Sequence, residues 1–265
     1  MSAPAADASR GGEAVAADAA ADAAGAADAA GAAGGQGASW AVRERRVVLL
    51  RHGRTAWNAQ RRFQGQADPP LDEVGRAQAY EVAALMAVLQ PDLLVSSDAA
   101  RAMQTAEPIG AAVRLPVRAD ARLRERSLGH WEGLTRDDVR DRYPDEYADW
   151  VAGRDVSRRG GETREQVARR ALDVFRELPE VDTAVLVTHS ATAMALCAAL
   201  LGLEQEIHVL GPLANCHWTD LSAEQHDGAT PFWRLRAHNV GAPGTVVPRP
   251  LRRADAADDA VDAQA

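Results

Sequence analysis

The chain has 265 residues, 46% of them hydrophobic, and a formal charge of −8, which allows one large domain or two small ones. That acidity lies at the ends: residues 1–39 carry −4 and residues 252–265 carry −2, leaving −2 for the body. A nearly neutral body argues against a nucleic-acid-binding footprint, and no segment approaches the length of a bilayer span.

Residues 1–42 are almost entirely Ala, Gly and Asp. Without large apolar side chains such a segment cannot offset its ordering entropy, so it reads as a disordered leader. It lacks both a continuous apolar core and an arginine-rich amphipathic pattern, which argues against a secretory signal or membrane anchor. The folded domain is expected over residues 43–240, followed by a flexible acidic tail at 241–265.

Within that domain the apolar runs Val47–Leu50, Leu93–Val95 and Ala184–Val187 read as strands buried on both faces of a parallel sheet. Between the first two, Ala79, Val82, Ala83, Met86 and Leu89 recur at helical spacing. Thr163–Leu178 reads as a second helix, with Thr163 and Gln166 as a capping box and Val167, Ala168, Ala171, Val174, Phe175 and Leu178 along one stripe. Ala193–Leu201 is an apolar helix. Cys216–Leu221 and Phe232–Ala237 suggest two further strands joined by a polar loop, Ser222–Thr230. This alternation predicts an α/β fold, a three-layer sandwich with a mostly parallel central sheet and helices on both faces. Cys197 and Cys216 have no CxxC spacing, so a reduced, cytoplasmic protein is the default reading.

Sites in open α/β sheets form at the carboxyl ends of strands. Arg51-His52-Gly53-Arg54-Thr55 follows the first run, Ser96-Ser97-Asp98 leads from the second to Arg101, and Thr188-His189 ends the third. Two histidines and the arginines Arg51, Arg54 and Arg101 are thereby expected on one rim. All thirty basic residues are arginine, so each needs its own argument. Guanidinium forks match phosphate oxygens in pairs, and a neutral imidazole can attack phosphorus and carry the phosphoryl group. Gly53 offers a carbonyl to orient the ring, and Asn58 and Gln64 lie in the same connection as donors. Transfer to histidine also needs a proton for the departing alkoxide and then a base for water. Glu125 and Glu132 both qualify, and spacing alone does not choose between them.

These motifs, together with Pro70-Leu71, Gly75-Arg76, Thr105-Ala106, Leu123-Arg124-Glu125, Trp131-Glu132-Gly133 and Gly160-Gly161-Glu162, resemble the histidine phosphatase superfamily in its phosphoglycerate-mutase-like branch. The resemblance runs from about residue 45 to 240 and implies His52 as the phosphorylated nucleophile and Glu125 as the proton donor and acceptor. Arg51, Arg101 and His189 would clamp the phosphate, assisted by Asn58 and Gln64, with Arg54 in a supporting role and no cofactor or metal. Ser190-Ala191 departs from the pattern, since members usually carry glycine after the histidine. Arg62-Phe63-Gln64-Gly65-Gln66, Asn215, Trp218-Thr219 and Trp233-Arg234-Leu235 with Asn239 are similar to the actinobacterial glucosyl-3-phosphoglycerate phosphatase group within that branch.

A small phosphorylated substrate is therefore expected, with neither nucleic acid nor membrane as partner and a homodimer left open. Mutases of this branch carry long insertions that exclude water, whereas the stretch after Glu125 is short here, which favours hydrolysis over transfer. A phosphoglycerate mutase, a broad-specificity sugar-phosphate phosphatase and a non-catalytic phospho-ligand binder are the alternatives. A metal hydrolase would use His52 and His189 as ligands, but no HxxxH or paired-carboxylate spacing accompanies them.

Overall fold

The computed structural model describes residues 43–204, 210–225 and 232–242. The expected leader, the acidic tail beyond residue 242 and much of the predicted polar loop lie outside the described residues.

In chain order the elements are β1 (Arg43–Arg51), α1 (Ala56–Ala59), α2 (Glu73–Val88), β2 (Leu93–Ser96), α3 (Ala100–Val113), β3 (Arg118–Ala119), α4 (Arg136–Arg142), α5 (Pro144–Val151), α6 (Arg164–Glu177), β4 (Thr183–Thr188), α7 (Ser190–Leu200), β5 (Trp218–Gln225) and β6 (Phe232–Val240). The strands form one sheet in the order β3-β2-β4-β1-β5-β6. The first four are parallel, and β5 and β6 are antiparallel additions.

The apolar runs explain the central strands. Alternate residues of β1 point to opposite faces, so Val47 and Leu49 join one core with Leu186, Phe175, Leu196 and Trp233. Val48 and Leu50 join the other with Val185, Met86, Ile109 and Trp218. Each fully buried side chain of this kind contributes about 1.5–3 kcal/mol. Helices α6 and α7 cover the first face and α2 and α3 the second, giving the three-layer arrangement expected.

The capping box of α6 forms as read: Thr163 Oγ1 accepts from the Gln166 N–H at 3.2 Å, and Gln166 Oε1 accepts from the Thr163 N–H at 2.9 Å. The loop assigned from Ser222 is corrected in its first part. Residues 222–225 continue β5, because that strand lies between β1 and β6 and pairs on both sides. Cys216, expected to open this strand, instead sits at φ 54° in the turn before it, and β5 begins at Trp218.

A third, smaller core was not anticipated. Trp131, Val139 and Val156 are buried against Phe63, Leu128, Leu134, Tyr143, Tyr147 and Trp150. The segment 126–163, with α4 and α5, forms this cluster together with Phe63, and Phe63 and Trp150 reach the wall of a cavity.

Candidate active site

Register creates the centre of the site. Parallel pairing sets Arg51 opposite Thr188, and the His52 N–H donates to the Thr188 carbonyl at 3.0 Å. The next residues, His52 and His189, therefore leave adjacent strands side by side, with ring centroids 5.0 Å apart. Ser97 leaves β2 beside them, its N–H donating to the Val187 carbonyl at 2.8 Å.

The two rings are held by different means. His52 Nδ1 lies 2.7 Å from the Gly53 carbonyl oxygen, which accepts only a proton, so a neutral ring carries its hydrogen on Nδ1 and its lone pair on Nε2. Gly53 lies against α2, where an added Cβ would come 2.5 Å from the Gly75 carbonyl oxygen, so the close approach requires glycine there. Its own N–H donates to Thr105 Oγ1 at 3.0 Å. On the second ring, Nε2 of His189 lies 3.0 Å from Ser97 Oγ. That hydroxyl also accepts from the Ala99 N–H at 3.3 Å. Burial first, and then the charges of Arg101 and neighbouring groups, hold both histidines well below the ordinary imidazole range. Both rings are therefore neutral at pH 7.

Two arginines frame this pair. Arg51 donates through Nη1 to the Leu213 carbonyl at 2.5 Å, and Arg101 donates to the carbonyls of Ala67 and Gly65 at 2.7 and 2.9 Å. Arg101 is 1% exposed, although its nearest carboxylate oxygen, on Asp68, is 3.6 Å away. With Asn58, Gln64 and Glu125 they line a cavity of about 190 Å³ around His52. It opens into an outer cavity of about 490 Å³ through Arg51, Phe63, Glu125, Arg126 and Ala191, which line both. Arg54 departs from the expectation: its Nε donates to Asp72 Oδ2 at 2.8 Å, at the N-cap of α2, and it does not line the inner cavity.

The geometry separates the two glutamates that spacing left equivalent. Glu132 accepts from the N–H groups of Gln66 and Leu128 at 3.0 Å each and of Ala67 at 3.1 Å, a structural brace between loops. Glu125 lies on the cavity wall, where its carboxylate accepts from the N–H groups of Arg126 (2.9 Å), Ala191 and Thr192 (3.2 Å each). The last two belong to the first turn of α7, an end that favours negative charge.

Five buried polar atoms around this chamber have no partner among the described residues: Arg51 Nε, Arg101 Nε, Arg126 Nε, His189 Nδ1 and Gln64 Oε1. The three guanidinium nitrogens are obligate donors, an arrangement that fits an anion with several acceptor oxygens. Among the described residues, no cluster of His, Cys, Asp and Glu is placed to hold a metal ion, and no helix is long and apolar enough to cross a membrane.

Comparison with known proteins agrees with the geometry. A model of the histidine phosphatase superfamily (branch 1) matches residues 47–236. The chain belongs to this superfamily. It is 39% identical over 218 residues to a glucosyl-3-phosphoglycerate phosphatase of Mycolicibacterium vanbaalenii, covering 76% of this chain and 97% of that one. It is 34% identical over 195 residues to a probable phosphoglycerate mutase of Yersinia pestis, covering 72% and 91%. Among solved structures, a mycobacterial glucosyl-3-phosphoglycerate phosphatase complexed with VO3 superposes with a TM-score of 0.67 at 38% identity, covering 75% of this chain and all of that one.

Several residues that support this candidate site were not singled out for these roles from sequence. Ser97 Oγ holds His189 Nε2 and Thr105 receives the Gly53 N–H. Asn215 donates from Nδ2 to the His52 carbonyl at 3.0 Å and lies 3.3 Å from Asn58 Oδ1. Arg170 donates to the carbonyls of Arg122, Arg124 and Glu125 and pairs with Glu162. The departure at Ala191 puts its methyl on the cavity wall while its N–H still reaches Glu125.

Proposed function

We propose that the protein hydrolyses a small phosphomonoester through a phosphohistidine on His52, with glucosyl-3-phosphoglycerate as the substrate that its relatives' names favour. The carrying observation is the set of unpartnered guanidinium donors on Arg51 and Arg101, with the unpartnered Nδ1 of His189, around a neutral imidazole whose Nδ1 is tied to a carbonyl. Those donors, with the amides of Asn58 and Gln64, hold the non-bridging oxygens. Nε2 of His52 attacks phosphorus, the P–O bond to the alcohol breaks, and the Glu125 carboxyl gives its proton to the leaving oxygen. Glu125 then takes a proton from water as the water oxygen displaces Nε2, which releases phosphate and restores both groups. No metal enters the sequence of steps.

Hydrolysis is favoured over transfer because the inner chamber opens into the larger outer cavity, which admits water to the intermediate. The mutase reading rests on the Yersinia relative. Two free, buried cysteines suit a reducing compartment such as the cytoplasm. Residues 43–240 carry the activity, and residues 1–42 and 241–265 take no part in it.

The test is a screen of phosphoglycerates, sugar phosphates and glucosyl-3-phosphoglycerate with and without EDTA, vanadate and the substitution His52→Ala. Activity that survives EDTA, stops with vanadate and is lost in His52→Ala supports the reading. Loss with EDTA rejects the metal-free route, and full activity in His52→Ala rejects the nucleophile. Phosphoryl transfer to phosphoglycerate faster than to water selects the mutase.

A further inference from the structure

The outer cavity carries a charge that phosphate binding does not use. Arg126 follows Glu125 in sequence and, like Glu125, lines both cavities. Its side chain is 8% exposed. Nη1 donates to Asp155 Oδ1 at 2.9 Å, and its buried Nε has no partner among the described residues.

Asp155 is shared. Arg164, also on the outer wall, approaches the same Oδ1 at 3.6 Å and sends its backbone N–H to Oδ2 at 2.9 Å. Arg159 lies close behind at 1% exposure, with Nε and Nη1 unpartnered, and burial first and then Arg126 pull its pKa down to about 10. Arg126 and Arg164 thus share one carboxylate, with Arg159 behind them, beside a cavity whose wall also holds Glu125, Phe63, Trp150, Met194 and Leu210. Surplus buried positive charge is costly unless an anion arrives to meet it.

Size directs where that anion lies in the ligand. Small-molecule sites are typically about 300–1,000 Å³. The inner chamber falls below that range and the outer cavity, at about 490 Å³, within it. The phosphoryl group therefore occupies the inner chamber, the ester oxygen lies at Glu125, and the carbons beyond it pass Arg126. We propose that Arg126, backed by Arg164, binds a carboxylate on the alcohol part of the substrate, close to the ester oxygen, and so selects phosphoesters of hydroxy acids over neutral phosphoesters. This rests on the phosphatase reading and names a specificity residue for it.

The test compares two substrates that differ only in this group, 3-phosphoglycerate and glycerol 1-phosphate, in the full-length chain, Arg126→Gln and Arg126→Lys. A charge-assisted contact corresponds to a preference of about tenfold to a hundredfold in kcat/KM. The native enzyme is expected to prefer 3-phosphoglycerate by that much. Arg126→Gln should erase most of the ratio, chiefly through KM, whatever loss is common to both substrates. Arg126→Lys keeps the charge without the fork and should fall between; it also serves if Arg126→Gln does not fold. A ratio near one in the native enzyme, or a ratio unchanged in both variants, overturns the inference while leaving the phosphatase reading intact. Failure of the native chain to hydrolyse any phosphomonoester overturns the phosphatase reading instead.

Discussion

Arg170→Met tests how the Glu125 segment is held. In the native chain Arg170 Nη1 donates to the Arg122 and Arg124 carbonyls at 2.5 and 2.7 Å, and Nη2 to the Glu125 carbonyl at 3.0 Å. Nε and Nη2 pair with Glu162 at 2.8 and 2.9 Å, and Glu162 in turn accepts from the Ser127 N–H at 2.9 Å. One ion pair thus fixes the chain on both sides of Glu125. Removing one partner of a fully buried pair costs about 3–5 kcal/mol. Here the side chains keep 17% and 23% exposure, which lowers the expectation to about 2–3 kcal/mol. At about 2–4 °C per kcal/mol for a domain of this size, the melting temperature should fall by about 4–12 °C.

Burial raises the Glu162 pKa, but the Arg170 hydrogen bonds and the Ser127 N–H more than reverse this, leaving it below the ordinary carboxylate range. A depressed carboxylate stabilises fully above its unfolded pKa of about 4.3 and loses that contribution as pH falls through the lower folded value. The gap between native and Arg170→Met should therefore be full near neutral pH and shrink below about pH 4. Catalysis supplies a second readout, because a loosened Glu125 harms proton donation most. The kcat on glycerol 1-phosphate, whose alkoxide needs that proton, should fall about tenfold further than on p-nitrophenyl phosphate. A melting change under about 1 °C together with equal losses on both esters would refute the reasoning.

Glu125→Gln should lower kcat on alkyl phosphates by about 10²–10⁴-fold with little change in melting, whereas Glu132→Gln, which weakens acceptance from three loop N–H groups, should chiefly lower the melting temperature; the reverse pattern would exchange their roles. Since His52 and His189 are held neutral in the fold, acid protonates the unfolded chain first, and stability should fall below about pH 6.5 by up to about 1.4 kcal/mol per pH unit for each histidine. Urea titrations across that range, with His189→Asn losing part of the slope, check the sign; a flat profile contradicts it. A chain of residues 43–242 should retain kcat/KM within about twofold of the full chain if the ends take no part in the reaction, and a larger loss would place an end in the site.

The features legible in the sequence were those set by local pattern. Uninterrupted apolar runs such as Val47–Leu50 identify strands buried on both faces, and the second residue after the run, His52 or His189, reaches the site because parallel register carries it there. What stayed hidden depends on contacts distant in sequence. Ser97 meets His189 across 92 positions and Asn215 meets His52 across 163, separations that no local periodicity reports. Arg54 shows the converse: adjacency to His52 suggested a supporting role on the rim, but its guanidinium turns to Asp72. Glu125 and Glu132 differ only in which backbone donors surround them. The Trp131 core was missed because its apolar residues are spread over short helices and turns without a sustained stripe.

The account depends most on a phosphorus–nitrogen bond at His52. Rapid acid-free quench of Glu125→Gln enzyme turning over p-nitrophenyl phosphate, whose leaving group needs no proton, followed by mass spectrometry of its peptides, measures this directly. The account predicts one phosphoryl group on the His52 peptide, stable to alkali and lost in acid, and absent in His52→Ala. An active enzyme whose His52 peptide never carries phosphate, or whose phosphate lies on another residue, would contradict it.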